Sequence, residues 1–271
     1  MLHTTHQKSV LSMSTTFFVK TLLVSGCFIS SGVNANEADE EIQDMSDPLS
    51  VYTQIGAGMT NHGLNIKMGR SYDTGDADTA GMNVVEIKGL MGDAIGISDN
   101  AKGNSADSLR FRNFVANTSN GRGTQIDVQY DLDNESGSAS YSLIQALPKL
   151  GRLSVFPLMG AGVSFQNTTL EDGQKVGGYA IPGTFGVVGT YSKLQLTDNL
   201  WFNYNPMWFT TLSGSEQYVT SSLENSSHLL QHEVALGYQL TPKFNVRYFS
   251  NWTENQAFKD GSHRIEFNYQ L

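Results

Sequence analysis

From about Leu49 to Leu271 the chain repeats with a period of two, and that alternation restricts its fold more than any other feature. Successive side chains of a strand point to opposite faces, so apolar and polar residues in strict alternation specify a sheet with two unlike faces. In the last segment Ile265, Phe267, Tyr269 and Leu271 alternate with Arg264, Glu266, Asn268 and Gln270. Before it, Phe244, Val246, Tyr248 and Trp252 alternate with Asn245, Arg247, Phe249 and Asn251. Over 123–132, Ile126, Val128, Tyr130 and Leu132 alternate with Gln125, Asp127, Gln129 and Asp131. Further runs fit near 50–59, 62–72, 82–91, 107–117, 137–147, 152–165, 179–196, 199–212 and 228–240. None of these segments carries a helical period or the length of a transmembrane helix, so the fold class is all-β.

The connections are unequal. Leu240-Thr241-Pro242-Lys243 and Leu196-Thr197-Asp198-Asn199 read as tight turns, whereas 213–227, 166–178 and 254–261 read as longer polar loops. Short turns on one rim and long loops on the other suit a single antiparallel transmembrane β-barrel. The runs give twelve strands, or ten if the pair near 82–117 is loop, with both termini on the short-turn, periplasmic side.

Alternation alone does not say whether the apolar face meets lipid or a core, because a lipocalin-like soluble barrel alternates too. Aromatic placement favours lipid. Tyr130, Phe165, Trp208 and Trp252 fall near the outer ends of rising strands, and Tyr191, Tyr238 and Tyr269 near the periplasmic ends of descending ones. Two aromatic girdles are what the two interfaces of a bilayer select. Tyr204 and Tyr248 sit nearer mid-strand. Charge agrees: 16% of the chain is charged, against roughly 25% in soluble domains. A one-residue slip of the last strand would put Arg264 into lipid, at about 2–4 kcal/mol. Pro206 predicts a bulge or break within its strand, and His232 falls on the apolar face near the outer interface.

The first 35 residues read as a signal peptide: Lys8 and Lys20, the short apolar run 21–29, then Val33-Asn34-Ala35 with cleavage between Ala35 and Asn36. Val24-Ser25-Gly26-Cys27 offers a rival lipoprotein site, but only a short stretch separates it from Lys20. Cleavage at Ala35 removes the one cysteine. Residues 36–48 are acidic and aperiodic, a flexible periplasmic lead-in, and 49–271 is the barrel. A net charge of −9 without a basic patch argues against nucleic acid as a partner.

The polar faces carry Glu86, Lys88, Arg110, Arg112, Asp127, Lys193, Glu233, Arg247, Arg264 and Glu266. Facing inward, they form either a charged constriction that selects permeants or an ion-paired lumen that stiffens the wall. Hairpin pairing of the last three strands brings Glu233, Arg247 and Glu266 within a cross-strand step. His62, His228, His232 and His263 fall at outer strand ends or loops, where surface roles outweigh catalysis. Asp73, Asp76 and Asp78 alternate in a turn that reads as solvated rather than as a cation site. No zinc, phosphate-loop or calcium-loop spacing occurs, so no catalytic residue, metal or cofactor is expected.

With these features, residues 49–271 and their leader resemble the small outer-membrane barrel proteins of Gram-negative bacteria. The last strand, with Phe267 and Tyr269, resembles the signal read by the barrel-assembly machinery, although Leu271 stands where that signal has Phe. Arg247-Tyr248-Phe249-Ser250-Asn251 resembles the His-x-Ser-Asn segment of barrel lipid A deacylases, but Tyr248 replaces the catalytic His. The twelve-strand outer-membrane phospholipase uses His-x-Ser, which this chain lacks. The resemblance implies a monomer in the outer membrane, bedded in lipid and lipopolysaccharide. It acts there as a narrow charged channel or passive envelope protein. The alternatives are a lipid- or lipopolysaccharide-modifying enzyme, and a surface receptor or adhesin working through its loops.

Overall fold

The computed structural model describes residues 42–97, 105–169 and 175–271. The leader, its cleavage site, Cys27 and the first part of the acidic lead-in lie outside the described residues.

Thirteen strand segments form one antiparallel sheet: β1 (Gln54–Thr60), β2 (Gly63–Asp73), β3 (Thr79–Leu90), β4 (Ser108–Asn117), β5 (Arg122–Asp131), β6 (Ser136–Gln145), β7 (Leu153–Thr169), β8 (Lys175–Gln195), β9 (Leu200–Tyr204), β10 (Met207–Gly214), β11 (His228–Thr241), β12 (Phe244–Thr253) and β13 (Ser262–Gln270). Apart from β9 and β10, each strand pairs with its neighbours in sequence, and β13 returns to β1 with Tyr269 opposite Ile55. No edge is left unpaired, so every wall strand satisfies its backbone within the sheet, as a bilayer demands.

The wall nevertheless has twelve strands, because β9 and β10 lie end to end between β8 and β11. Their join is Asn205-Pro206, where the proline ring removes an N–H from the ladder. The ladder is carried across by Asn205 N–H donating to Glu233 O at 2.8 Å and Thr190 N–H donating to Pro206 O at 3.2 Å. This is the interruption that Pro206 predicted.

Both chain ends of the barrel lie on one rim, where Leu271 N–H donates to Thr53 O at 3.0 Å. We call this the terminal rim and its opposite the loop rim. One expected loop is largely strand: of 166–178, β7 continues to Thr169 and β8 starts at Lys175, past bulges at Ser164/Gln166 and Asn167/Thr169. Polar, glycine-rich sequence there suggests a loop, but hairpin pairing extends the ladder into it as far as Thr169 opposite Lys175. In the connection after β10, helix α1 (Glu216–Ser221) is capped by Ser215 and folds back toward the wall. Its buried Tyr218 meets Ser164 Oγ at 2.8 Å, on the inward side of β7.

The two faces are unlike in the sense the alternation predicts. Ile66, Met68, Val85, Phe111, Leu143, Val188, Ile265 and Phe267 are exposed on the outside. Gln54, Asn65, Glu86, Gln125, Asn245, Glu266 and Asn268 are buried inside. A soluble barrel would invert this arrangement.

The segment before β1 is not loose where it is described. Residues 42–53 form a turn-rich strap inside the terminal rim, with Met45 only 3% exposed and Ser46 and Tyr52 buried. Asp44 accepts from Ser46 N–H at 2.9 Å, and Asp47 accepts from Leu49 N–H at 2.8 Å. The expectation of a flexible lead-in therefore fails over 42–48. Asx turns have no apolar period, so order of this kind leaves no periodic trace.

Candidate functional site

The interior of the barrel is a polar cavity of about 770 Å³. Glu86, Lys88, Arg110, Arg112, Asp127, Glu233, Arg247, Arg264 and Glu266 line it. Lys193 points inward too, below the cavity, where it meets the strap.

Neighbouring strands set the pairings. Arg110 on β4 holds Asp127 on β5 with two bonds, Nε at 2.9 Å and a terminal nitrogen at 2.5 Å. Arg112, two residues along the same face, binds Glu86 on β3, which also lies 3.6 Å from Lys88. Lys67 Nζ reaches Glu266 Oε1 at 2.5 Å, and Arg264 Nε stands 3.3 Å from Glu266 Oε2. Lys67 was missing from the expected network, although its alternation with Ile66 and Met68 already placed it on the polar face.

The Lys67 contact spans two strands. Lys67 sits opposite Gly56 on β1, and Glu266 on β13 lies opposite Gly58. A Cβ on Gly56 would stand 2.7 Å from Asn268 Oδ1 and 3.1 Å from Lys67 Cε. The bare β1 backbone is thus the path over which the lysine stem crosses.

Five cations (Lys67, Lys88, Arg110, Arg112 and Arg264) share three carboxylates (Glu86, Asp127 and Glu266) in this strip. The strip itself therefore holds more cations than carboxylates, while Asp107, Asp131, Asp133 and Glu233 add acids elsewhere on the cavity wall. Glu233 and Arg247 stand apart from the strip. Glu233 accepts from Asn205 Nδ2 at 2.9 Å, and Arg247, although opposite Glu266 in register, donates to the carbonyl of Met45. The expected grouping of Glu233, Arg247 and Glu266 does not form: register sets Glu233 opposite Asn251, four residues along β11 from the partner of Arg247, and Arg247, though opposite Glu266, turns to the strap.

The strap's other anchors are mixed. Asp44 Oδ2 meets Lys193 Nζ at 2.7 Å, and Met45 Sδ lies 3.5 Å from both Gln239 Nε2 and Asn245 Nδ2. Leu49 packs on the buried cluster of Ile144, Phe156, Leu158 and Val187. Arg247 also lies 5.3 Å from the buried Trp201 ring. Burial alone would raise the Asp44 carboxyl, but hydrogen bonds from Lys193 and Ser46 outweigh it and hold Asp44 below its usual value. Burial pushes the Tyr52 phenol upward against the pull of Arg247.

The aromatic residues divide as follows. Tyr130 and Phe165 stack outside at 6.3 Å, joined by Tyr179. Trp208, Tyr238 and Tyr269 are exposed, and Trp252 stacks on His232 at 5.1 Å. Tyr191 is a correction: it faces the lumen and lies 3.2 Å from Gln125 Oε1. Residues two apart in a strand share a face, so a lumenal Lys193 excludes a lipid-facing Tyr191.

The outer face near the loop rim carries the histidines. Tyr204 Oη pairs with His232 Nδ1 at 2.9 Å, and Tyr248 Oη with His263 Nδ1 at 2.8 Å. His228 packs beside Trp208, while His62 lines the cavity mouth. Ser250 lies directly across from His263 but is fully buried. Its hydroxyl makes no hydrogen bond, and the imidazole is turned to Tyr248, so no base reaches it. Asp73 and Asp76 accept turn amides from Gly75 and Asp78. Among the described residues no His, Cys, Asp and Glu group is placed to hold a metal ion.

A closed antiparallel wall, apolar outside and ionic within, defines the class: this is a β-barrel with the architecture of outer-membrane barrels. No protein-family model matches the sequence, and no curated protein matches it. Among solved structures, it is similar to a KdgM porin, at 10% identity over 82% of this chain and 99% of that one, with a TM-score of 0.46. It is also similar to the translocator domain of the autotransporter NalP from Neisseria meningitidis (10% identity, 83% and 91% covered, TM-score 0.41). The Acinetobacter baumannii outer membrane protein Omp33 is a third (8% identity, 83% and 100% covered, TM-score 0.37).

Proposed function

We propose that the chain is a monomeric outer-membrane channel whose cationic constriction selects permeants and whose terminal end is closed by the strap. The observation that carries this is the cavity of about 770 Å³, which runs inside the wall between ion-paired side chains rather than being packed shut. A barrel serving only as an envelope element has no need of a polar void.

The proposal places the terminal rim in the periplasm, after removal of the leader at Ala35, and the loop rim outside among lipopolysaccharide. Phe267 and Tyr269 on the last strand would engage the assembly machinery. Short connections such as 242–243 on the terminal rim, and the long 215–227 connection on the other, support this orientation.

Planar-bilayer recording tests the reading. The full chain is expected to show small, intermittent conductance, and a variant lacking 42–48 a larger and steadier one. Silence from both folded proteins would reject a channel.

A further inference from the structure

The cavity has two chemically different halves. From β11 through β13 and β1 to β5, its inward side chains include the whole ionic strip. From β6 to β10 the lining is Leu158, Phe185, Val187, Met207 and Phe209 with Tyr191, Asn203, Asn205 and several serines, and none of the described lining residues there is charged. Phe185 and Phe209 stand 6.1 Å apart as a tilted pair. The halves are within reach of each other, since Tyr191 on β8 meets Gln125 on β5. On the ionic side the Nε atoms of Arg112 and Arg264 are buried without a hydrogen bond. For Arg264 this holds even at 3.3 Å from Glu266, because the approach is off the bonding direction.

The strap gives an internal precedent for an occupant. It sets the carboxylate of Asp44 on Lys193 and the side chain of Leu49 on the apolar cluster, so anion and hydrocarbon are held on one short segment. Three further acids of the cavity wall, Asp107, Asp131 and Asp133, lie at the loop-rim ends of β4 and β5, outside the cationic strip.

We propose that the lumen binds small organic anions carrying an apolar ring or chain, that is, aromatic or aliphatic carboxylates in preference to polar sugar acids. The carboxylate would take the surplus positive charge of Arg110, Arg112 and Arg264, and the apolar body would lie on Phe185 and Phe209. This rests on the lumen being an open site, as the channel reading holds, but it does not require conduction.

Saturation-transfer NMR on the folded full chain in lipid nanodiscs tests it, with benzoate and gluconate as probes. Benzoate should bind saturably, and about tenfold more tightly than gluconate, the effect of burying one small ring face. Phe185→Ser with Phe209→Ser should bring benzoate down to the gluconate level, and Arg110→Gln with Arg112→Gln should weaken both. Met207→Gln, close in volume and on the same wall, provides a second variant should the double serine protein not fold. Equal binding of the two probes, benzoate uptake that never saturates, or benzoate binding untouched by the wall variants would each overturn the proposal. Saturable binding without conductance removes the channel alone, and conductance without saturable benzoate binding removes this proposal alone.

Discussion

Asp44 and Arg247 hold the strap by different chemistry, and only the first contact depends on a carboxylate proton. Because the folded Asp44 carboxyl lies below its ordinary 3.8, its hold on Lys193 is complete above that value. It is lost only as pH falls through the depressed one. Open probability in bilayer recordings is therefore expected to stay level from neutral pH down to about 5, a range far above such a carboxyl. It should rise only in stronger acid. In Asp44→Asn that acid-dependent rise should shrink, whereas an unchanged rise would assign it to the ionic strip. A second residue-level expectation concerns Arg110 and Asp127. Arg110→Met strips a carboxylate of its bidentate partner and should cost about 1–3 kcal/mol, discounted from a dry site because cavity water reaches both groups. Adding Asp127→Leu should recover most of the loss, as read from urea midpoints of the folded barrel. Much at this scale was legible: charged residues alternating with apolar ones had to face away from lipid. Their pairings were not. Lys67 finds Glu266 across an intervening glycine strand, and Arg247 turns to a backbone carbonyl, and neither choice leaves a mark on the period of either strand.

At the level of elements, the wall strands were readable because each has one face in contrast with the other. The weakest reading, on β8, fell where that contrast fades. Its inward Phe185, Val187 and Tyr191 are as apolar as its outward Val188, Thr190 and Ser192, since the neutral half of the lumen lies behind it. The strap was unreadable for another reason: its order comes from side-chain turns and from a lumen that exists only after the sheet has closed. The β1 element shows how tightly wall and lumen are joined. Its inward positions Gly56 and Gly58 leave a bare floor under the Lys67 stem. Gly56→Val should displace that stem and lower barrel stability by about 1–3 kcal/mol, the usual cost of overpacking. Gly186→Ala has room, with its nearest neighbour 3.6 Å from the added carbon, and should be nearly neutral. Urea titration of both variants in lipid vesicles checks the difference, and equal midpoints would mean that Lys67 does not depend on the bare β1 backbone.

For the molecule as a whole, closure and facing are one property. Once β13 pairs with β1, every side chain is assigned to an inside or an outside, and no strand can slip by one residue without exchanging its faces. The assignment can be challenged directly with one cationic side chain placed on either surface. Val85, on the outer face mid-way along β3 and opposite Phe111, is exposed with no ionic partner nearby. Val85→Arg should therefore cost about 2–4 kcal/mol of folding free energy in phospholipid vesicles, the penalty for a guanidinium near the bilayer midplane. Ser140 lies mid-way along β6 and lines the cavity, opposite Gly162. Ser140→Lys puts the same charge into water beside the cationic strip, where it should cost much less and should weigh on ion selectivity instead. The two variants carry one added charge each on strands of the same wall, so global charge and strand propensity largely cancel in the comparison. A Val85→Arg protein as stable as Ser140→Lys would mean that the apolar surface is not in hydrocarbon, and the membrane assignment would fall with it.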